Sequence, residues 1–119
     1  MQYILLIYGQ EKDWATMPEA EMKKMYAAYG TFTQELISSG AMRGGSELAP
    51  IANATTVRLR NGKVATTDGP FAETKEQLGG YYVIDVPDID EAIRLAARIP
   101  SAAHGSIEVR PLVLGPGAK

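Results

Sequence analysis

The stretch Tyr81-Tyr82-Val83-Ile84-Asp85-Val86-Pro87-Asp88-Ile89-Asp90-Glu91 carries a strand straight into the start of a helix. Up to Val86 it is aromatic or β-branched apart from Asp85, the composition of a well-packed strand. Asp88 and Glu91 stand three apart as the two ends of a capping box, so a helix begins there with Ile89, Ala92, Ile93, Ala96 and Ala97 on its apolar side. Pro100 ends that helix, and residues 106–114 supply a further strand.

The N-terminal half repeats the order. From Tyr3 to Tyr8 both alternation sets are apolar or aromatic, Tyr3, Leu5 and Ile7 on one side and Ile4, Leu6 and Tyr8 on the other, so the strand calls for cover on both faces. Thr16-Met17-Pro18-Glu19 has the form of another capping box and predicts a helix over residues 17–39, with Gly40 as its cap. Met22, Met25, Tyr26, Tyr29, Phe32, Leu36 and Ile37 follow the spacing of a buried stripe. Residues 41–48 read as a second strand. Asn61-Gly62, between residues 55–60 and 63–68, marks a two-residue hairpin with a type I′ turn.

The whole is a strand, long helix, strand, inserted hairpin, strand, shorter helix and strand, an α+β βαββαβ plan of the ferredoxin-like kind in one domain over residues 1–114, with 115–119 as a flexible tail. Two helices cover one face of such a sheet. Tyr3, Leu5, Ile7, Tyr81 and Val83 are expected on the other face, hidden by a second copy of the chain, because symmetric dimers are the commonest oligomers.

Composition sets the outer bounds. The chain has 119 residues and no cysteine, which removes disulfides, thiolate metal sites and cysteine nucleophiles and points to the cytoplasm. Its net charge of −2 comes with no basic cluster, which argues against nucleic acid. The apolar N-terminus breaks at Gly9-Gln10-Glu11, too soon to span a membrane. One histidine and no cysteine leave no metal set, and Gly44-Gly45 and Gly79-Gly80 match no nucleotide fingerprint, so no cofactor is expected.

The run from Thr67-Asp68-Gly69-Pro70-Phe71-Ala72-Glu73-Thr74-Lys75 to Gly79-Gly80-Tyr81-Tyr82-Val83-Ile84-Asp85-Val86 resembles the signature of the DGPF branch of the YCII-related family. The opening strand, Asp90-Glu91-Ala92 and Gly105-Ser106-Ile107-Glu108-Val109-Arg110-Pro111 extend the likeness over nearly the whole chain. The resemblance implies a ferredoxin-like domain that dimerises into an α/β barrel, and allows a regulatory role beside sigma factors of the extracytoplasmic-function type. In enzymatic relatives it implies a histidine on the first helix partnered by an aspartate. Residues 17–39 contain neither, and the chain's sole histidine is His104, in the turn before the last strand.

The candidate site residues are therefore drawn from loops. Asp68 before Gly69-Pro70 is a turn former; with Glu73 and Lys75 it also makes a trio able to orient a polar ligand or to supply an acid and a base. Arg43, beside Gly44-Gly45, has room to reach an anion, and Tyr8, Trp14, Phe71 and Tyr81 are aromatics fit to line a cavity. Two readings follow. In one the chain binds a small polar molecule through Tyr8, Arg43, Asp68, Lys75 and Tyr81. In the other it is a cofactor-independent lyase or isomerase whose base is Asp68 or Glu73, with Lys75 as electrostatic stabiliser.

Overall fold

The structure, a computed structural model, describes residues 1–113; the tail expected at 115–119 lies outside them. Strands β1 (Gln2–Gly9), β2 (Met42–Glu47), β5 (Gln77–Asp85) and β6 (Ser106–Pro111) form one sheet, while β3 (Thr55–Arg60) and β4 (Lys63–Asp68) form a separate hairpin. In the larger sheet β1 and β5 are central, β6 flanks β1 and β2 flanks β5, every pair antiparallel. Helices α2 (Glu19–Ser38) and α3 (Ile89–Ala96) complete the ferredoxin-like α+β fold, and a short helix α1 (Glu11–Ala15) follows β1. None of the described helices is long and apolar enough to cross a membrane.

The core lies between the sheet and the two long helices. Tyr3, Leu5 and Ile7 of β1 and Tyr82 and Ile84 of β5 meet Phe32 and Leu36 of α2 and Ala92, Leu95 and Ala96 of α3. Leu5, Leu36, Ile84 and Ile99 are sealed off from water. This corrects the expected face. Leu5 pairs with Tyr82 and Leu6 with Tyr81, so Tyr3, Leu5 and Ile7 lie under the helices, and Ile4 and Leu6 share the uncovered face with Tyr81 and Val83. With both alternation sets of β1 apolar, only the cross-strand register decides which one faces inward.

The start of α2 also departs from its expected form. Pro18 sits at φ −58°, ψ 147°, outside the helix, with no side-chain cap. The Thr16 hydroxyl donates instead to the Lys12 carbonyl at 2.9 Å and closes α1. Proline drives Met17 away from helical angles, so the chain breaks between the two helices rather than running through. At the other end the Gly40 N–H donates to Ile37 and the Ala41 N–H to Leu36, the paired bonds of a Schellman cap. The expected cap of α3 is present, the Glu91 N–H donating to Asp88 Oδ1 at 2.9 Å.

Asn61 and Gly62 both have positive φ, 53° and 75°, as a type I′ turn requires. Gly62→Val places a β-branched residue at an angle it rarely adopts. Denaturant unfolding should show a loss of about 1–3 kcal/mol, with affinity for any ligand of the folded protein unchanged. Lost binding in a still-folded variant would make the hairpin part of the site.

Candidate functional site

Along α2 the apolar stripe serves two ends. Phe32 and Leu36 are buried in the core, but toward the N-terminus the helix stands off the sheet: Met22, Met25 and Tyr29 are only half-buried and Tyr26 is 55% exposed. The space beneath is a cavity of about 360 Å³. Met22, Met25, Tyr26, Tyr29 and Thr33 line it from the helix, Ile7, Gly79, Gly80, Tyr81 and Tyr82 from the central strands, and Met42, Gly45, Ser46 and Glu47 from β2. Trp14, Met17 and Ser101 complete it.

Trp14 is fixed by what its neighbours lack. A Cβ on Gly9 would lie 2.6 Å from the indole and one on Gly79 2.5 Å from it, closer than such contacts come, so the ring occupies the space that two missing side chains leave. The β1–β5 register slips at Ile7 and Tyr8, where Ile7 pairs with Gly80 and Tyr8 with Leu78, which sets Gly79 in a bulge. Gly79-Gly80 therefore marks both a bulge and a close approach. β5 begins at Gln77, earlier than Tyr81, and runs through these glycines.

Polar groups in the cavity are few and mostly paired. Tyr29 and Ser101 share a hydrogen bond of 2.5 Å, and Thr33 and Tyr82 one of 2.7 Å. Burial pushes the Tyr29 phenol up against the opposing pull of Ser101. Glu47 is the only ionisable acid or base in the lining besides the tyrosines, and the Tyr26 hydroxyl donates to both its carboxylate oxygens at 3.0 and 3.2 Å. That bond, reinforced by the carboxylate's charge, raises the Tyr26 pKa and keeps the phenol protonated. The pair thus sets a carboxylate and a phenol oxygen, both able to accept, side by side at the edge of an apolar space.

A second cavity of about 270 Å³ shares Trp14, Met17, Met25 and Ser101 with the first and is more polar, with Tyr8, Asp13, Glu21 and His104 in its wall. Together the two spaces have the proportions of a small-molecule site.

Residues 1–114 match the YCII-related domain. The chain belongs to the YCII-related family. An uncharacterised protein of Rhizobium meliloti (strain 1021) is 35% identical over 116 residues, covering 96% of this chain and 94% of the relative. Among solved structures, 5-chloro-2-hydroxyhydroquinone dehydrochlorinase of Burkholderia phenoliruptrix, in complex with 2,5-dihydroxybenzoquinone, matches with a TM-score of 0.58 at 13% identity, covering 100% of both chains. At that identity the likeness is one of fold.

In this YCII-related chain the expected site residues are scattered. Tyr81 borders the larger cavity and Tyr8 the smaller. Asp68 ends β4, paired with Thr55, and Glu73 and Lys75 sit in the exposed loop beyond; none of the three lines either cavity. Gly69 does form a turn, at φ 94°, but the Thr56 hydroxyl and the Ala54 carbonyl hold it, bonding its carbonyl and N–H. Arg43 spends its fork on the Gly40 and Met42 carbonyls, at 2.7 and 3.0 Å, and on Asp85 at 3.5 Å. The N-terminal ammonium, 3.0 Å away, and Arg43 together hold the Asp85 carboxyl below the usual range. Glu47 and Tyr26 are gathered there instead, together with Trp14, one of the aromatics expected to line a cavity, whereas Phe71 is exposed and lines neither. Nothing near Glu47 in sequence marks it, since its partner Tyr26 lies on another element.

His104, expected without an acidic partner in sequence, borders the smaller cavity together with Asp13 and Glu21. Among the described residues no group of three or more potential ligands could hold a metal ion.

Proposed function

We propose that this protein binds a small ring compound with a hydroxylated or otherwise polar edge, its apolar body between α2 and the sheet and its polar edge on Glu47 and Tyr26. The observation that carries this reading is the Glu47–Tyr26 pair in a wall otherwise made mostly of methionines, aromatics and glycines. Methionine sulfur and aromatic faces suit a flat, polarizable ring. The carboxylate can accept a hydrogen bond from a ring hydroxyl, and the Tyr26 oxygen, its proton already given to Glu47 in a hydrogen bond, keeps a lone pair to accept a second. The smaller cavity, with Tyr8, gives room for a substituent. That a protein of this fold holds 2,5-dihydroxybenzoquinone makes that compound the first probe.

Calorimetry with 2,5-dihydroxybenzoquinone and simple hydroquinones tests the reading. Binding should weaken at least tenfold in Glu47→Gln, about 1.4 kcal/mol, with the melting temperature nearly unchanged because the side chain is exposed. The same substitution should bring the Tyr26 phenol back toward the titration of an ordinary tyrosine, followed by ultraviolet absorbance. Equal affinity in Glu47→Gln would remove this pair from the site.

The pair also supports a second reading, a cofactor-independent lyase or isomerase in which a carboxylate takes a proton from the bound ring. Glu47 holds the position in the cavity that Asp68 and Glu73 do not, and once its carboxylate has taken the proton the Tyr26 hydroxyl is released to donate to the negative charge left on the ring. Turnover lost in Glu47→Gln with binding retained in part would select this reading over simple binding.

For the assembly, we infer a homodimer in which the uncovered sheet face, Ile4, Leu6, Tyr81 and Val83, packs on the same face of a second copy to form an α/β barrel. Apolar side chains in the two central strands have no covering layer among the described residues. Light scattering at micromolar concentration should give twice the chain mass, and Val83→Asp should yield monomer. A monomeric wild type would sink the inference.

A further inference from the structure

The hairpin of β3 and β4 is amphipathic and has almost nothing to lean on. Within it Leu59 pairs with Val64 and Val57 with Thr66, which places Val57, Leu59 and Val64 on one face. They are 63%, 65% and 71% exposed. The opposite face carries Arg58 across from Ala65 and Arg60 across from Lys63. Among the described helices and strands, these two make substantial contact only with each other. The described fold is correspondingly broad and flat, with extents of 47 × 45 × 19 Å and a radius of gyration of 16.4 Å, where a compact chain of this length would show about 13–14 Å. An isolated two-stranded ribbon is marginal in water, so this one needs a surface to lie on.

We infer that the hairpin is an arm that reaches onto a second copy of this chain, laying Val57, Leu59 and Val64 against the partner's body. Two observations select a second copy. Residues 55–68 carry three cations against one carboxylate, +2, so the chain's −2 leaves −4 on the remainder: arm and body attract. The body also has an apolar sheet face of its own without cover, so the same chain presents both uncovered surfaces, as a two-fold interface requires. The arm is an addition to that interface rather than a substitute for it. Three such side chains bury roughly 100 Å² each, about 600 Å² for a symmetric pair of arms, against about 1,600 Å² for a standard interface. The inference rests on the homodimer proposed above, which the arm tightens.

Hydrogen exchange and sedimentation on the whole chain test it. At dimer concentrations the amides of residues 55–68 should exchange slowly, and in Val83→Asp, as monomer, they should exchange nearly as fast as an unfolded peptide. Leu59→Asp, a change at an exposed position that leaves the core intact, should raise the dimer dissociation constant at least tenfold while circular dichroism is unchanged. Equal protection in dimer and monomer would mean that the arm is held by its own chain, and no protection in the dimer would mean that it serves another partner or none. Either result overturns the inference, as does an unchanged dissociation constant in Leu59→Asp. A wild type that stays monomeric overturns the dimer itself, and the arm with it.

Discussion

Gly79→Val should displace Trp14 and raise the dissociation constant for 2,5-dihydroxybenzoquinone at least tenfold. A Cβ at residue 79 would stand 2.5 and 2.6 Å from two carbons of the indole, and Gly9 on the neighbouring strand leaves the ring no room to slide aside on that strand. The indole must then lift, and it is part of the wall common to both cavities. Overpacking of this kind costs about 1–3 kcal/mol of stability. The control is Trp14→Ala, which removes the obstacle: Gly79→Val added to it should cost little more, a coupling that a double-mutant cycle in urea would read. If Gly79→Val bound the probe as tightly as wild type, the ring would not be a wall of the site.

Phe32→Ala should produce the largest loss of stability, about 3–5 kcal/mol. Phe32 is 3% exposed, meets the Tyr82 ring edge-on with centroids 5.4 Å apart and planes at 79°, and carries the Arg98 guanidinium 5.7 Å from its centre. Truncation removes the core contact, the aromatic pair and the cation–π contact together. Against a total stability of about 5–15 kcal/mol, the melting temperature should fall by on the order of 10–20 °C. Phe32 does not line either cavity, so at low temperature the folded fraction should still bind. A loss below about 1 kcal/mol would show that the core closes over the gap.

Much of the fold is legible in the sequence because local rules and tertiary packing agree there. Asp88 caps α3 as its spacing to Glu91 requires, Asn61-Gly62 turns as the dipeptide demands, and the strand–helix alternation yields the ferredoxin-like sheet. Legibility fails where two readings are locally equal. Both sides of Tyr3 to Tyr8 are apolar, so the inward face is set by pairing with β5. Thr16 and Glu19 have the spacing of a capping box, and Pro18 between them acts instead as a break.

The site was harder to read for a different reason. Asp68, Glu73 and Lys75 are conspicuous because the chain gathers polar residues there, yet they line neither cavity. Glu47 is one acid among many until Tyr26 is folded over it, and Met22 and Met25 have the spacing of core residues although they roof a cavity. A stripe at helical spacing says which side of the helix turns inward. It does not say whether that side meets side chains or space.

The seat of Trp14 has a spectroscopic consequence. This is the chain's single tryptophan, so its emission comes from one place, a wall shared by two cavities. Excitation at the red edge of protein absorbance would therefore interrogate that place alone, without a label. A quinone entering the larger cavity would stand against the indole as an electron acceptor and darken it. Any ligand of the kind proposed would announce its own arrival.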